Sequence, residues 1–462
     1  MKIISSFRKA KSSGLWLAQS VFRNHRASNF YPSVSWSRLA ASTAILLLAA
    51  VAGSAQTLPT EQAATAQSFV NSAGVVTHLT YTDSAYYNNW PTIFNQLEAL
   101  HIKHIRDGFG WWPQGSPFYS MHQTLLNAGI KTDYVIQWDT TITAPALESF
   151  ASQVGDMEAL EAPNECDVVP NCGGGGLTGI ANAIPLLLPL QAAGRALHVP
   201  TMGPSYVYPS SYPLTGNISG FINTNSMHLY FGGRNPGSPG WGDFDAEGNS
   251  YGSLSFWYDQ SQIDAPGIVP TITETGYMSF PTTSTPYTVT ESVETAYIQR
   301  MLLLAYKHGY ERTYFYELID DPSSPAGYGL LRPDLSEKPA FIGLSNLLNL
   351  LSDNGSSFTP ASLQYVISGG DSNLNHLLLQ KSDGSYWLVL WLEEPSWDPA
   401  NVAPISVTPE NIGIELPSGW TTTTDYQFNS SGTYYAFNQP MKNGWSSLTV
   451  TDQLSIVRIA AK

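Results

Sequence analysis

The chain has 462 residues and a formal net charge of −15, with 43% hydrophobic and only 12% charged residues. It is long enough for more than one domain, and its 13 Trp, 25 Tyr and 18 Phe exclude a disordered chain. The acidic balance argues against nucleic acid as a partner, since a phosphate backbone needs a basic face.

Residues 1–55 hold seven basic side chains (Lys2, Arg8, Lys9, Lys11, Arg23, Arg26, Arg38) and no Asp or Glu. This basic start, the apolar run Leu39–Ala52 and the small residues before Gln56 predict a secretory signal. The run falls short of the roughly 20 apolar residues of a membrane span. An uncleaved anchor is the alternative. No later segment reads as apolar enough to cross a bilayer, so the expectation is an exported, acidic protein without a span once the leader is removed. Residues 56–73 read as a short helix or a lead-in.

From residue 74 to 355 short β-rich runs alternate with helical ones. The runs 74–81, 104–109, 131–138, 157–165, 200–206, 225–232, 269–277 and 312–320 predict strands, rich in Val, Ile, Thr, Tyr and Met and close to Gly, Asp, Asn or Pro. Between several of them lie helical faces: Ile93, Phe94, Leu97 and Leu100; Val293, Tyr297, Met301 and Leu304, with Gly309 as a stop; and Phe341, Leu344, Leu348 and Leu351. Eight strand-then-helix units predict a (β/α)8 TIM barrel over 74–355. A doubly wound sheet would rarely need eight. After Gly355 the texture changes to alternation and turn signals. Residues 356–462 predict an antiparallel β-sandwich.

Two glycine-rich stretches match motifs by letter. Gly248-Asn249-Ser250-Tyr251-Gly252 fits a serine-hydrolase elbow but has no apolar strand leading in. Gly174–Gly179 fits a dinucleotide fingerprint but lacks the acidic residue about 20 positions on. Both read as loops. Cys166 and Cys172 flank Pro170 and form a candidate disulfide, with two free thiols as the alternative. Two cysteines are too few for a four-Cys zinc site, and the sequence has no His-Glu-x-x-His. Neither a metal nor another cofactor is expected.

Chemistry in a TIM barrel belongs at the C-terminal ends of the strands. The fourth predicted strand ends Leu160-Glu161-Ala162-Pro163-Asn164-Glu165, and the seventh ends Thr273-Glu274-Thr275. Two rim carboxylates can hydrolyse a glycosidic bond with retention when they stand about 5–5.5 Å apart. One donates a proton to the leaving oxygen and the other attacks the electron-poor carbon. Glu161 shares the parity of Glu165 and lies deeper, where a carboxylate needs a partner. Asn164 has the opposite parity, so it reaches the site only if the strand end bends.

Asn164-Glu165 closing one strand and Glu274 closing another resemble clan A, the retaining (β/α)8-barrel glycoside hydrolases. Several of its families append a β-sandwich, among them the β-xylosidase/iduronidase and β-glucuronidase groups. The resemblance implies Glu165 as general acid/base and Glu274 as nucleophile. It implies Asn164 on the sugar 2-hydroxyl and Arg106 as the arginine that holds the nucleophile ionised. In His228-x-Tyr230 it implies that Tyr230 bonds Glu274 and His228 lines the sugar site. The chain departs from the pattern in two places. Cys166 replaces the Pro that often follows Asn-Glu, and the eighth strand, Tyr314-Phe315-Tyr316-Glu317-Leu318, has no Trp for a sugar floor.

Further sugar contacts are expected from His78, Tyr316, Trp138, Trp111 and Trp112, whose flat rings can stack on sugars. Glu317 is the rival carboxylate. The long Gly/Pro/Asp-rich loop 233–250 is read as shaping the site. The expected activity is therefore retaining hydrolysis of an oligo- or polysaccharide, with carbohydrate as the partner. The alternatives are a non-catalytic carbohydrate-binding or cell-surface barrel, or a transglycosylase using the same site.

Overall fold

The computed structural model describes residues 58–113, 115–280, 287–321 and 327–462. The predicted leader lies outside them. Eight parallel strands form the central sheet: β1 (Ala73–Val76), β2 (His104–Gly108), β3 (Lys131–Val135), β4 (Met157–Glu161), β5 (Thr201–Met202), β6 (Asn225–His228), β7 (Pro270–Thr275) and β8 (Thr313–Phe315). Their order is β5-β4-β3-β2-β1-β8-β7-β6. A parallel bridge from Met202 to Thr224 joins β5 to the start of β6 and closes the ring. Each of the eight predicted strands is present but shorter, because the runs continue into the rim loops.

The helices cover the outside through apolar faces. Trp90–Ala99 buries Ile93 and Leu97, and Pro339–Leu351 buries Phe341, Leu344, Leu348 and Leu351. Glu291–His308 is capped by the Thr290 hydroxyl and stopped by Gly309 at φ 86°, a left-handed turn that glycine adopts without strain.

One sequence expectation is corrected here. Gly176–Leu197 is long and apolar enough to cross a membrane by length and composition. It is interrupted by a 3-10 turn at Ile184–Leu186 and buries Ile180, Leu187, Leu190 and Ala193 in the outer layer of the barrel. The predicted glycine loop is likewise partly this helix. Gly179 faces the Cys166 carbonyl so closely that a Cβ would lie 1.8 Å from its oxygen, so only glycine allows the approach.

The C-terminal residues form two facing sheets, one of three strands and one of six. The lead-in joins this domain: Ala64–Thr65 pairs beside Leu374–Gln380 at the edge of the six-stranded sheet, and Thr60–Gln62 forms a separate two-stranded sheet with Ser362–Gln364. The main hydrophobic core is shared. It runs from the barrel layers to Trp387, Val389, Trp391, Phe428 and Ile456 of the sandwich.

Candidate active site

The site is built from a polar layer inside the barrel. Arg106 on β2 and Glu161 on β4 belong to alternate strands, which supply one layer of a barrel interior. Arg106 Nε and Nη2 donate to the Glu161 carboxylate at 2.6 and 2.9 Å, and Nη1 donates to Glu274 Oε1 at 2.7 Å. The Ser226 hydroxyl gives Glu161 a further bond at 2.7 Å. Glu161 thus has the partner its burial demands. Asp107 turns away from Arg106 and holds the Thr77 hydroxyl and the Leu79 amide.

Glu274 is nine-tenths buried at the end of β7. Its second oxygen accepts from the Tyr230 hydroxyl at 3.0 Å. Burial pushes its carboxyl up, but His228, Arg106 and Tyr230 outweigh burial and hold it down at about 2. His228 lies beside Glu274 in the β6–β7 register. Its Nδ1 is 3.0 Å from Glu165 Oε1 and 3.7 Å from Glu274 Oε2. Burial disfavours the imidazolium, yet the charges of Glu274 and Glu165 raise His228 above its ordinary range.

Glu165 reaches this point through a bend. Regular pairing of β4 stops at Glu161, and Glu165 takes φ 45°, a region L residues occupy at a cost of about 1–3 kcal/mol. Neighbours fix the turn. The Glu165 amide donates to Ser205 Oγ at 3.1 Å, and Asn171 Nδ2 donates to the Glu165 carbonyl at 3.0 Å. Cys166, the next residue, is disulfide-bonded to Cys172. The same bend lets Asn164 Oδ1 accept from Arg106 Nη2 at 2.8 Å, which resolves its parity problem.

One oxygen of Glu165, one of Glu274 and a ring nitrogen of His228 all lie within 4.8 Å of one another. These are ligand types that a cation also takes. Here they are engaged by one another, Arg106 and Tyr230.

An aromatic wall continues from the carboxylates. The Tyr230 ring meets Tyr328 edge-on at 5.4 Å, Tyr328 meets Tyr316 at 5.9 Å, and Tyr316 meets His78 at 5.7 Å. His78 stacks on Tyr81 and lies 3.0 Å from the Glu317 carboxylate. Tyr328, Asn171 and Ser205 were not legible as site residues, since no spacing rule links them to β4 or β7. Trp138, about a third exposed, covers Gly173, the residue after the disulfide-bonded Cys172. Trp111 is half exposed and rests edge-on against Phe109 and Phe150. Trp112 stacks on Phe118 under the rim. Neither of these two has a ring contact with the carboxylates or the aromatic wall.

No family model and no curated protein matches the sequence. Solved structures do match the fold. A family 51 α-L-arabinofuranosidase from Bifidobacterium longum superposes with a TM-score of 0.53 at 10% identity, covering 87% of this chain and 97% of that one. A family 30 subfamily 8 xylanase from Clostridium acetobutylicum gives 0.52 at 12% identity, with 88% and 97% covered. A glucosidase from Croceicoccus marinus gives 0.56 at 9% identity, with 87% and 97% covered. The class defined by these likenesses is architectural. The chain has the closed barrel with appended β-sandwich that these glycosidases carry.

Proposed function

We propose that the protein is a retaining glycoside hydrolase acting on a carbohydrate chain or its fragments. The observation that carries this reading is the approach of Glu165 and Glu274, within 4.8 Å of each other at the ends of β4 and β7. That distance suits direct attack and leaves little room for an intervening water, as retention requires. The arabinofuranosidase, xylanase and glucosidase of the same fold support the class of reaction.

In the first step a Glu274 oxygen forms a bond to the anomeric carbon while the glycosidic oxygen leaves with the proton of Glu165. In the second step Glu165 takes a proton from water, whose oxygen displaces Glu274 from that carbon. His228 and Arg106 face Glu274 and hold its carboxyl low against its burial, which favours the carboxylate that the attack needs. Asn164, oriented by Arg106, bonds the sugar 2-hydroxyl. Charge on His228 offsets Glu165 whenever Glu165 is the carboxylate.

Hydrolysis of aryl glycosides and polysaccharides tests the reading. Glu274→Ala abolishes turnover, and added azide restores it with a glycosyl azide of inverted configuration. Normal hydrolysis by Glu274→Ala overturns the assignment. Export is part of the same proposal, supported by the basic and apolar leader. N-terminal sequencing of the protein recovered from the medium tests it.

A further inference from the structure

The loop that leaves β6 carries an arginine with no acidic partner. Arg234 is half-buried, and its guanidinium lies 4.2 Å above the Trp241 ring. Trp241 is itself fixed, edge-on to Tyr251 and packed on Gly252, where a Cβ would meet its ring at 2.4 Å. Among the described residues no carboxylate pairs with Arg234 and no oxygen accepts from it. None of the undescribed residues is Asp or Glu, so none can supply a carboxylate. Burial lowers the tendency of Arg234 to carry its proton, and Tyr287 offsets this only in part. A stacked guanidinium keeps its in-plane N–H donors free, in the fork that matches a carboxylate.

The position is close to the carboxylate pair. Arg234 is four residues beyond Tyr230, and four extended residues span at most about 14 Å. It takes no part in the hydrogen bonds among Arg106, Glu274, Tyr230, His228 and Glu165, so it is suited to a neighbouring part of the same bound chain. Among the described residues the carboxylate pair has no free cation beside it. Arg106 spends its donors on Glu161, Glu274 and Asn164, and His228 faces Glu165. An acidic sugar there would face Glu165, Glu274 and, at the far end of the aromatic wall, Glu317.

Resting on the glycosidase reading, we infer that Arg234, held on Trp241, recognises a carboxylate-bearing sugar or substituent next to a neutral unit at the cleavage position. The substrate class is then a polysaccharide that mixes neutral and uronic-acid units.

Calorimetric titration of Glu274→Gln tests this without requiring turnover. The probes are glucuronic-acid-substituted xylotetraose against xylotetraose, and hyaluronan tetrasaccharide against chitotetraose. At least one acidic probe is expected to bind about tenfold tighter than its neutral counterpart, with the preference shrinking as salt is added. Adding Arg234→Gln removes the preference, and Arg234→Lys, which keeps the charge but loses the fork, removes part of it. Equal binding of every acidic and neutral pair overturns the inference. So does a preference that survives Arg234→Gln. If the Gln variant does not fold, the preference of the Arg234-bearing protein and its salt dependence still decide. Failure of the glycosidase reading is a separate result: the wild-type protein would hydrolyse no glycoside.

Discussion

Arg106 reaches Glu274 with one nitrogen, at 2.7 Å, while its other donors are fixed on Glu161 and Asn164. The guanidinium is thus both a counter-charge for Glu274, the proposed nucleophile, and a brace for Asn164, the residue expected on the 2-hydroxyl. Arg106→Lys keeps a charge but loses the fork. We expect kcat/KM to fall by about 10²–10³, in line with losing a fixed electrostatic contact in a dry site. Glu274, now held at about 2, rises, so the acid limb of the pH profile moves to higher pH. An acid limb that stays in place would show that Arg106 does not set the charge of Glu274.

The strained turn at Glu165 makes a second prediction. Asn171→Ala removes the side chain that holds the Glu165 carbonyl, and Ser205→Ala removes the acceptor for its amide. Each is expected to lower kcat about tenfold for substrates whose leaving group needs a proton, as mispositioned general acids do. Dinitrophenyl glycosides, whose leaving group departs unprotonated, are expected to be affected much less. An equal loss on both substrates would point to general misfolding instead. Reduction of Cys166–Cys172 frees the same loop and is expected to give the same leaving-group signature.

The barrel was legible because its strands are short apolar runs with polar punctuation, and because Glu165 and Glu274 close two of them. Parity along β4 also marked Asn164 as out of line, and the bend at Glu165 is the physical answer. The edges of the fold were less legible. Thr60–Gln62 and Ala64–Thr65 are too short to show alternation, and their partners lie about 300 residues away in sequence. Asn171 and Tyr328 reach the site from loops, where no period constrains a side chain. The apolar stretch 176–197 is apolar because it packs on the barrel, and composition alone does not separate that from a membrane span.

Two buried carboxyls away from the site contribute to the pH dependence of stability. Burial raises Asp264 to about 7, against its bond from Asn225. Burial raises Glu294 to about 8, opposed by Lys338 and Ser279 and reinforced by Asp320 and Glu291. Both folded values lie above the unfolded ones, about 4, so the folded state binds more protons between pH 4 and 8. Their contribution is complete below about pH 4 and is lost as pH rises through 7 to 8. Thermal melts should therefore show these two groups favouring pH 5 over pH 9. Asp264→Asn and Glu294→Gln should flatten that slope, and a slope unchanged in both variants would place the titration elsewhere.

One carboxylate of the sandwich gathers donors from the barrel's Glu291–His308 helix and from the loop after β6. Glu393 accepts from Arg300 Nε and Nη2 at 2.8 and 2.5 Å, from Asn235 Nδ2 at 2.8 Å, from the Gly237 amide at 2.9 Å and from Trp391 Nε1 at 2.9 Å. Gly237 is obligatory there, since a Cβ would meet Glu393 at 2.2 Å. The loop behind Arg234 is thereby pinned to the C-terminal domain. Glu393→Ala leaves Arg300 charged and buried, and we expect a loss of about 3–5 kcal/mol in a denaturant melt. A double replacement, Arg300→Met with Glu393→Leu, removes both charges and should recover much of that stability. It does not restore the anchor of Asn235 and Gly237. The rescued protein should therefore fold yet bind acidic oligosaccharides less tightly, because the segment carrying Arg234 has lost its support. If the double variant is stable and keeps the acidic preference in full, the sandwich supports the fold and not the substrate loop.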